Sequence, residues 1–336
     1  MELIQTPDNP MPAGAVATSL RAVDGLSLRV SRWHPPGAAA GTVLICAGRA
    51  EFIEKYFETI GDLLKRGLTV VAFDWRGQGL SDRELDNSRK GHIDDFSLYE
   101  RDLDAVTQQA LEPFCPRPWF ALGHSMGAAV LLAQARRGAS PFERLALLGP
   151  LIGVHGLRLP KASRLLAEAL DTIGFGGAFV PGGRSTSALT KPFDGNRLTS
   201  DESRYRRNAG VVAAAPGLSI GSPTIGWLNA AFRLMQQFAD PEYPRRVLTP
   251  SLVIAAGDER VVDGQAVEVF ATRLKAGRHV VIPYARHEIL MERDVFRQQF
   301  WAAFDAFIPG ARGELRAIET AQGWIEQARG KRAVWR

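Results

Sequence analysis

Trp119-Phe120-Ala121-Leu122-Gly123-His124-Ser125-Met126-Gly127-Ala128-Ala129-Val130 carries an apolar run into Gly-x-Ser-x-Gly and out again into small residues at helical spacing. That order spells a strand, a sharp turn and a helix. A serine at such a turn sits on strained backbone, with its hydroxyl pushed out above the strand end and a helix N-terminus behind it. Gly123 and Gly127 suit a place where neighbouring chain packs against the backbone and a Cβ would clash. So short a pattern recurs by chance. The rest of the chain must decide between an ordinary Gly-rich turn and a nucleophile.

Working outward, strands and helices alternate. Residues 42–47 and 68–74, the second ending in Asp74, are largely apolar runs without alternation, as strands buried between helix layers are. Between them, residues 52–65 place Ile53, Phe57, Ile60 and Leu64 at helical spacing, closed by Gly67. Residues 94–111 read as an amphipathic helix. At the start, alternating runs at 16–23 and 26–33 flank Asp24-Gly25, a hairpin signal. Beyond the serine, 144–149 and 250–257 are further buried strands, 264–275 a helix, 278–282 a last strand and 294–307 a final helix. This alternation predicts an α/β fold whose mostly parallel central sheet has helices on both faces.

Between residues 152 and 235 the rhythm breaks into Gly-rich and Pro-rich interruptions with short helical pieces and no clear strand. Enough Leu, Phe, Trp and Ile remain to pack, so the segment reads as an inserted cap. The expected domains are a core of residues 1–151 and 236–310, a cap at 152–235, and a charged C-terminal helical tail at 311–336. In that tail Leu315, Ile318 and Ile325 fall near one face.

With 336 residues, 46% hydrophobic and 23% charged, the chain has the composition of a globular protein with a large core. No stretch has the apolar length of a membrane span, and the N-terminus shows no basic-then-apolar leader, so a cytoplasmic location is the default expectation. Cys46 and Cys115 have neither metal-site nor redox spacing and read as free thiols. The net charge is +5, and residues 152–235 hold ten Lys or Arg against five Asp or Glu. That excess suits a phosphate-bearing substrate or peripheral contact with an anionic membrane; its plain alternative is a solvated face. Nucleic acid is disfavoured, because no binding motif or aromatic-interleaved basic stripe accompanies the charge.

A serine hydroxyl attacks well only when a base takes its proton, and the base works best when a carboxylate fixes its tautomer. Of the histidines, His34 precedes two prolines, His92 lies in a loop, His124 abuts the serine on a sharp turn, His155 is in the cap and His279 begins a strand. Only His287 follows the last strand, at the sheet edge where Ser125 also emerges. The turn after residue 257 offers three carboxylates for the remaining role: Asp258, Glu259 and Asp263.

Several motifs now stand in a telling order: Ala47-Gly48-Arg49-Ala50-Glu51 with Lys55-Tyr56, Asp74-Trp75-Arg76-Gly77-Gln78-Gly79-Leu80-Ser81, Gly123 to Gly127, Asn196-Arg197-Leu198-Thr199, Glu259-Arg260-Val261-Val262-Asp263 and Arg286-His287-Glu288-Ile289-Leu290. On these the chain resembles the α/β-hydrolase superfamily over nearly its whole length, and within it the lysophospholipase L2 and monoacylglycerol lipase group of serine hydrolases. The resemblance implies the α/β-hydrolase fold and selects Glu259 as the acid, with Asp258 in reserve. It also implies an oxyanion hole made by the backbone N–H groups of Met126 and Arg49. Where many relatives have His-Gly this chain has Ala47-Gly48, and a backbone donor survives that change. The Asp74 to Ser81 loop reads as structural.

An acyl chain needs an apolar groove under a cover that opens, so specificity is expected in the cap. Leu157, Phe175, Phe179, Phe193, Ile225, Trp227 and Leu228 either line that groove or form the cap's own core, with Phe175, Phe179, Phe193 and Trp227 taken as substrate contacts. Arg204-Tyr205-Arg206-Arg207 is the candidate for a phosphate head group. The expected activity is hydrolysis of the ester of a lysophospholipid or monoacylglycerol through an acyl-enzyme, with no metal or organic cofactor implied. A broad carboxylesterase or aminopeptidase-like peptide hydrolase is the alternative, although the cap shows no acidic cluster to hold a free amine. A ligand-binding protein without turnover fits the pattern less well.

Overall fold

The computed structural model describes residues 2–310 apart from Ala139. The tail expected at 311–336, with Leu315, Ile318 and Ile325, lies outside the described residues. The hairpin expected at Asp24-Gly25 forms: β1 (Val16–Arg21) pairs antiparallel with β2 (Ser27–Trp33), and Gly25 turns between them at φ +86°. There follow β3 (Thr42–Cys46), α1 (Phe57–Lys65), β4 (Thr69–Phe73), α2 (Ser97–Val106), β5 (Trp119–His124), α3 (Met126–Arg136) and β6 (Arg144–Leu148). Next come α4 (Pro160–Leu170), α5 (Glu202–Ala214) and α6 (Ile225–Phe238), and then β7 (Ser251–Ala256), α7 (Gly264–Thr272), β8 (Gly277–Ile282) and α8 (Asp294–Phe307).

The strands form an eight-stranded sheet in the order β1-β2-β4-β3-β5-β6-β7-β8. β2 runs antiparallel to both its neighbours, and β3 to β8 run parallel. Every residue of β3, β4, β5 and β7 is buried, so both faces of the sheet centre are covered. β3 lies between β4 and β5, so the chain reverses its direction of growth across the sheet there. The ends of β3 and β5 meet at that reversal, with Cys46 paired to Gly123, and open sheets form their crevices at such points.

The long segment between β6 and β7 faces this crevice. Trp227, Ala230, Leu234 and Phe238 of α6 join the main core. Tyr205, Val211 and Val212 of α5 make a second cluster with Leu189 and Leu218 around Phe52 from the core side. An ion-pair cluster fastens α5 to α1 and α8: Arg204, Arg207 and Arg297 all converge on Glu58, at 2.6, 2.7 and 2.7 Å. Among the described residues no helix is long and apolar enough to cross a membrane.

Candidate active site

Ser125 stands between the last residue of β5 and the first of α3 at φ +50°, a region that L-residues with a side chain rarely occupy. The strain is held from several directions. The Ser125 N–H donates to the Leu148 carbonyl at 2.9 Å, and its own carbonyl accepts from Ala129 and Leu151. The flanking glycines are required by space. A Cβ at Gly127 would stand 2.1 Å from the carbonyl oxygen of Cys46, and one at Gly123 would stand 2.8 Å from the Cα of Ala128. The end of β3 and the start of α3 can approach the turn so closely only because both positions are bare.

His287 follows β8, and Glu259 follows β7. Glu259 Oε2 accepts from His287 Nδ1 at 2.8 Å, while its Oε1 accepts the N–H groups of Arg260, Val261 and Val262 at 2.9, 2.8 and 3.2 Å. Burial alone would raise the Glu259 pKa, but the bond to His287 and these backbone donors hold it below its ordinary value. Asp258 turns the other way and binds Arg260 at 3.0 and 2.7 Å. Asp263 caps α7 by accepting the Ala266 N–H at 3.0 Å. Gly149, at φ +47°, leaves the room that the pair occupies: a Cβ there would stand 3.3 Å from the His287 ring.

Ser125 and His287 share a cavity of about 310 Å³ with Met126, Arg49, Trp227 and Leu228. In the loop after β3, the N–H of Gly48 donates to Glu51 and that of Ala50 to Gln78 Oε1, both at 2.5 Å. Among the described residues the N–H of Arg49 between them has no acceptor, nor has the N–H of Met126. The Arg49 guanidinium lies 5.0 Å from the centre of the Trp227 ring and donates to the Gly221 carbonyl at 3.1 Å. Burial lowers its pKa to about 10. The loop from Asp74 to Ser81 is largely structural: buried Asp74 accepts from Arg29 Nε at 2.7 Å and from the N–H groups of Ile53 and Leu80. Gln78 is its link to the site.

Behind the serine lies a buried polar cluster that the reading of the sequence overlooks. Glu51 Oε1 accepts from Lys55 Nζ at 2.7 Å and from His124 Nδ1 at 3.0 Å, and its Oε2 accepts from Tyr56 Oη at 2.6 Å. Lys55 also pairs with Glu288 at 2.6 Å. His124 Nε2 reaches the carbonyl of His287 at 3.2 Å. Burial would raise the Glu51 pKa, yet His124 and Lys55 drive it well below its ordinary value. Burial would lower that of His124, and Glu51 outweighs it in the other direction. Both neighbours of the His124 ring are acceptors, an arrangement that favours the doubly protonated ring. The signal in the sequence was Glu51 and Lys55 one helical turn apart, on a face that proves to be buried.

Two expectations are corrected. Of the four aromatic residues taken as substrate contacts, only Trp227 lines the cavity at Ser125. Phe175 is more than half exposed on the turn after α4. Phe179 pairs with Thr224 and lies under Lys90, and Phe193 packs edge-on against Tyr205 in the second cluster. The Arg204 to Arg207 stretch is already engaged. Arg204 binds Glu58, Asp201 and Asp294, Arg207 binds Glu58, and Arg206 binds Glu202, while the Tyr205 hydroxyl bridges the carbonyls of Ala188 and Lys191.

The sheet order, the turn at Ser125 and the loops meeting above it are those of an α/β-hydrolase. Residues 37–294 match the hydrolase family of the serine aminopeptidases, S33, and the chain belongs to that family. Lysophospholipase L2 of Escherichia coli (strain K12) is 34% identical over 264 residues, 76% of either chain. Monoglyceride lipase of Rattus norvegicus is 27% identical over 243 residues, covering 72% of this chain and 73% of its own. Among solved structures, a soluble variant of monoglyceride lipase from Saccharomyces cerevisiae superposes with a TM-score of 0.68 at 19% identity, over 87% of this chain and 95% of that one.

Proposed function

We propose that this protein is a serine hydrolase that cleaves the carboxylic ester of a lysophospholipid or monoacylglycerol and releases a fatty acid. The observation that carries the reading is the contact of His287 Nδ1 with Glu259 in a cavity shared with a serine on strained backbone. Glu259 then holds the histidine in the tautomer whose Nε2 is free to act as base. His287 takes the proton of Ser125 as Oγ attacks the ester carbonyl, and the oxyanion that forms is received by the N–H groups of Met126 and Arg49. Each such donor is worth about 10²–10³ in rate. The tetrahedral intermediate expels the glycerol-side alkoxide, which takes the proton from His287, and the acyl group stays on Ser125. Water, deprotonated in turn by His287, adds to the acyl-enzyme and frees the fatty acid.

The apolar wall of the cavity, with Leu228, Trp227 and Met126, suits an acyl chain. Peptide hydrolysis from a free amino terminus needs a carboxylate for the ammonium group. The two carboxylates that line this cavity, Glu51 and Glu288, are both paired with Lys55, and the cation beside them, Arg49, speaks against it. The test is fatty-acid release from lysophosphatidylglycerol, monooleoylglycerol and p-nitrophenyl butyrate by the wild type and by Ser125→Ala. Release that falls at least about 10⁴-fold in the variant is expected. Release from the short ester alone would end the lipid assignment, and activity unchanged in the variant would end the assignment of the serine.

Peripheral contact with an anionic membrane belongs to the same proposal. Leu159, Leu166 and Ile173 recur at helical spacing along α4 and the turn after it, all more than half exposed, beside exposed Arg158 and Lys161. Sedimentation with phosphatidylglycerol vesicles that is lost in Leu166→Ser/Ile173→Ser would support the contact; no sedimentation of the wild type would remove it.

A further inference from the structure

A second cavity, of about 520 Å³, lies beside the one at Ser125, and Val154, Leu198 and Val261 stand in the walls of both. Its charge is one-sided. Lys191, Arg197 and Arg260 line it against one carboxylate, Asp194. Arg260 is committed to Asp258. Among the described residues Lys191 and Arg197 pair with no carboxylate, in contrast to the arginines of α5.

The walls are held in register with the proposed base. Asn196 Oδ1 accepts the N–H groups of Leu198 and Thr199 at 3.0 and 3.1 Å, which folds the loop so that Arg197 stands at its bend. Arg286 Nη1 donates to the carbonyls of Asn196 and Thr199 at 3.3 and 3.0 Å, and the N–H of Glu288 donates to the Leu198 carbonyl at 2.8 Å. These are the residues on either side of His287. On the opposite wall the N–H of His155 donates to the Val261 carbonyl at 3.1 Å. The Asn196 to Thr199 motif thus ties a free guanidinium to the loop that bears the histidine.

We propose that this outer cavity receives the leaving alcohol of the ester, and that Arg197 and Lys191 select an alcohol bearing a phosphate group. The proposal rests on the ester-hydrolase reading of Ser125 and deepens it. In a lysophospholipid the phosphate is attached to the glycerol that departs, a few bonds from the scissile ester, and it keeps a negative charge throughout. A guanidinium without a carboxylate partner offers it paired N–H donors. The glycerol leaving a monoacylglycerol has no charge to match.

The experiment compares kcat/KM on lysophosphatidylglycerol and on monooleoylglycerol, both kept monomeric, for the wild type, Arg197→Glu and Lys191→Glu/Arg197→Glu. The wild type should prefer the phospholipid, and the double reversal should lower that preference about tenfold or more, chiefly through KM. Turnover of monooleoylglycerol reports that the variants are folded. An equal loss on both lipids, or an unchanged preference, overturns the subsite. Binding of the two lipids to Ser125→Ala, with and without the charge reversals, reads the same contrast without turnover. Should the wild type hydrolyse neither lipid, the ester reading fails. The binding arm then still decides the subsite: a preference for the phospholipid abolished by the reversals supports it, and no preference overturns it.

Discussion

The two sides of the site treat charge in opposite ways. On the sheet side, each acidic group near Ser125 has a basic partner: Glu259 binds His287 and three backbone donors, Glu51 binds Lys55, Tyr56, His124 and the N–H of Gly48, and Glu288 binds Lys55. On the side contributed by the segment between β6 and β7, Arg197 and Lys191 face a cavity and, among the described residues, pair with no carboxylate, while Leu159 and Ile173 face outward. A group whose bonds are complete is already in place when a substrate arrives and costs no reorganisation during reaction. One whose bonds are incomplete has something to gain from a ligand. On the proposed reading, the difference separates residues that would perform the reaction from residues that would choose what is brought to it.

The largest effect that would test this division is at Glu259. Glu259→Gln keeps the size of the side chain but removes the charge that fixes His287, and kcat should fall about 10³-fold with KM little changed. A loss confined to KM would place Glu259 among the groups that choose. Glu51→Gln should cost less, about 10–100-fold in kcat, because it acts through the positions of the Gly48 loop, His124 and the backbone at His287. The same cluster leaves a mark on stability. The His124 pKa is raised in the folded protein, so the stabilisation from its pairing with Glu51 is complete below the ordinary imidazole value and lost as pH climbs through the raised one. Thermal melting from about pH 6 to about pH 9 should show that decline in the wild type and not in His124→Asn. A matching decline in the variant would mean that His124 is not the titrating group.

What could be read in advance follows the same line. The turn at Ser125, the parallel strands and the place of His287 depend on local pattern and on where strands end, and these are written in short stretches of chain. Glu259 could be separated from Asp258 only through the family resemblance, since the choice rests on which carboxylate points at a ring contributed by another loop. That Phe175, Phe179 and Phe193 lie away from the cavity at Ser125 could not be read in advance, because a helix end, an isolated bridge and a bend have no repeating period to say which side chain packs inward. Arg204 and Arg207 look like unattached charges in sequence, yet their acceptor Glu58 is 146 residues away from Arg204. Arg197 looked no different from them until the fold showed which arginines had been claimed.

Glu58 offers the smallest effect and the plainest separation of the two sides. Burial would raise its pKa, but Arg204, Arg297 and Arg207 together lower it to about 2. Its stabilising contribution is thus fully present above the ordinary carboxylate value and lost as pH falls towards about 2. Glu58→Gln leaves three guanidinium groups without their shared partner and should cost about 2 kcal/mol of stability near neutral pH, measured by urea unfolding. It should also remove part of the acid-side decline. Since Glu58 joins α5 to α1 and α8 and lines neither cavity, kcat on p-nitrophenyl butyrate should be unchanged where the variant is folded. A fall in kcat without a fall in stability would show that the docking of α5 reaches the reacting groups, and the sheet side and the facing segment would then have to be treated as one unit.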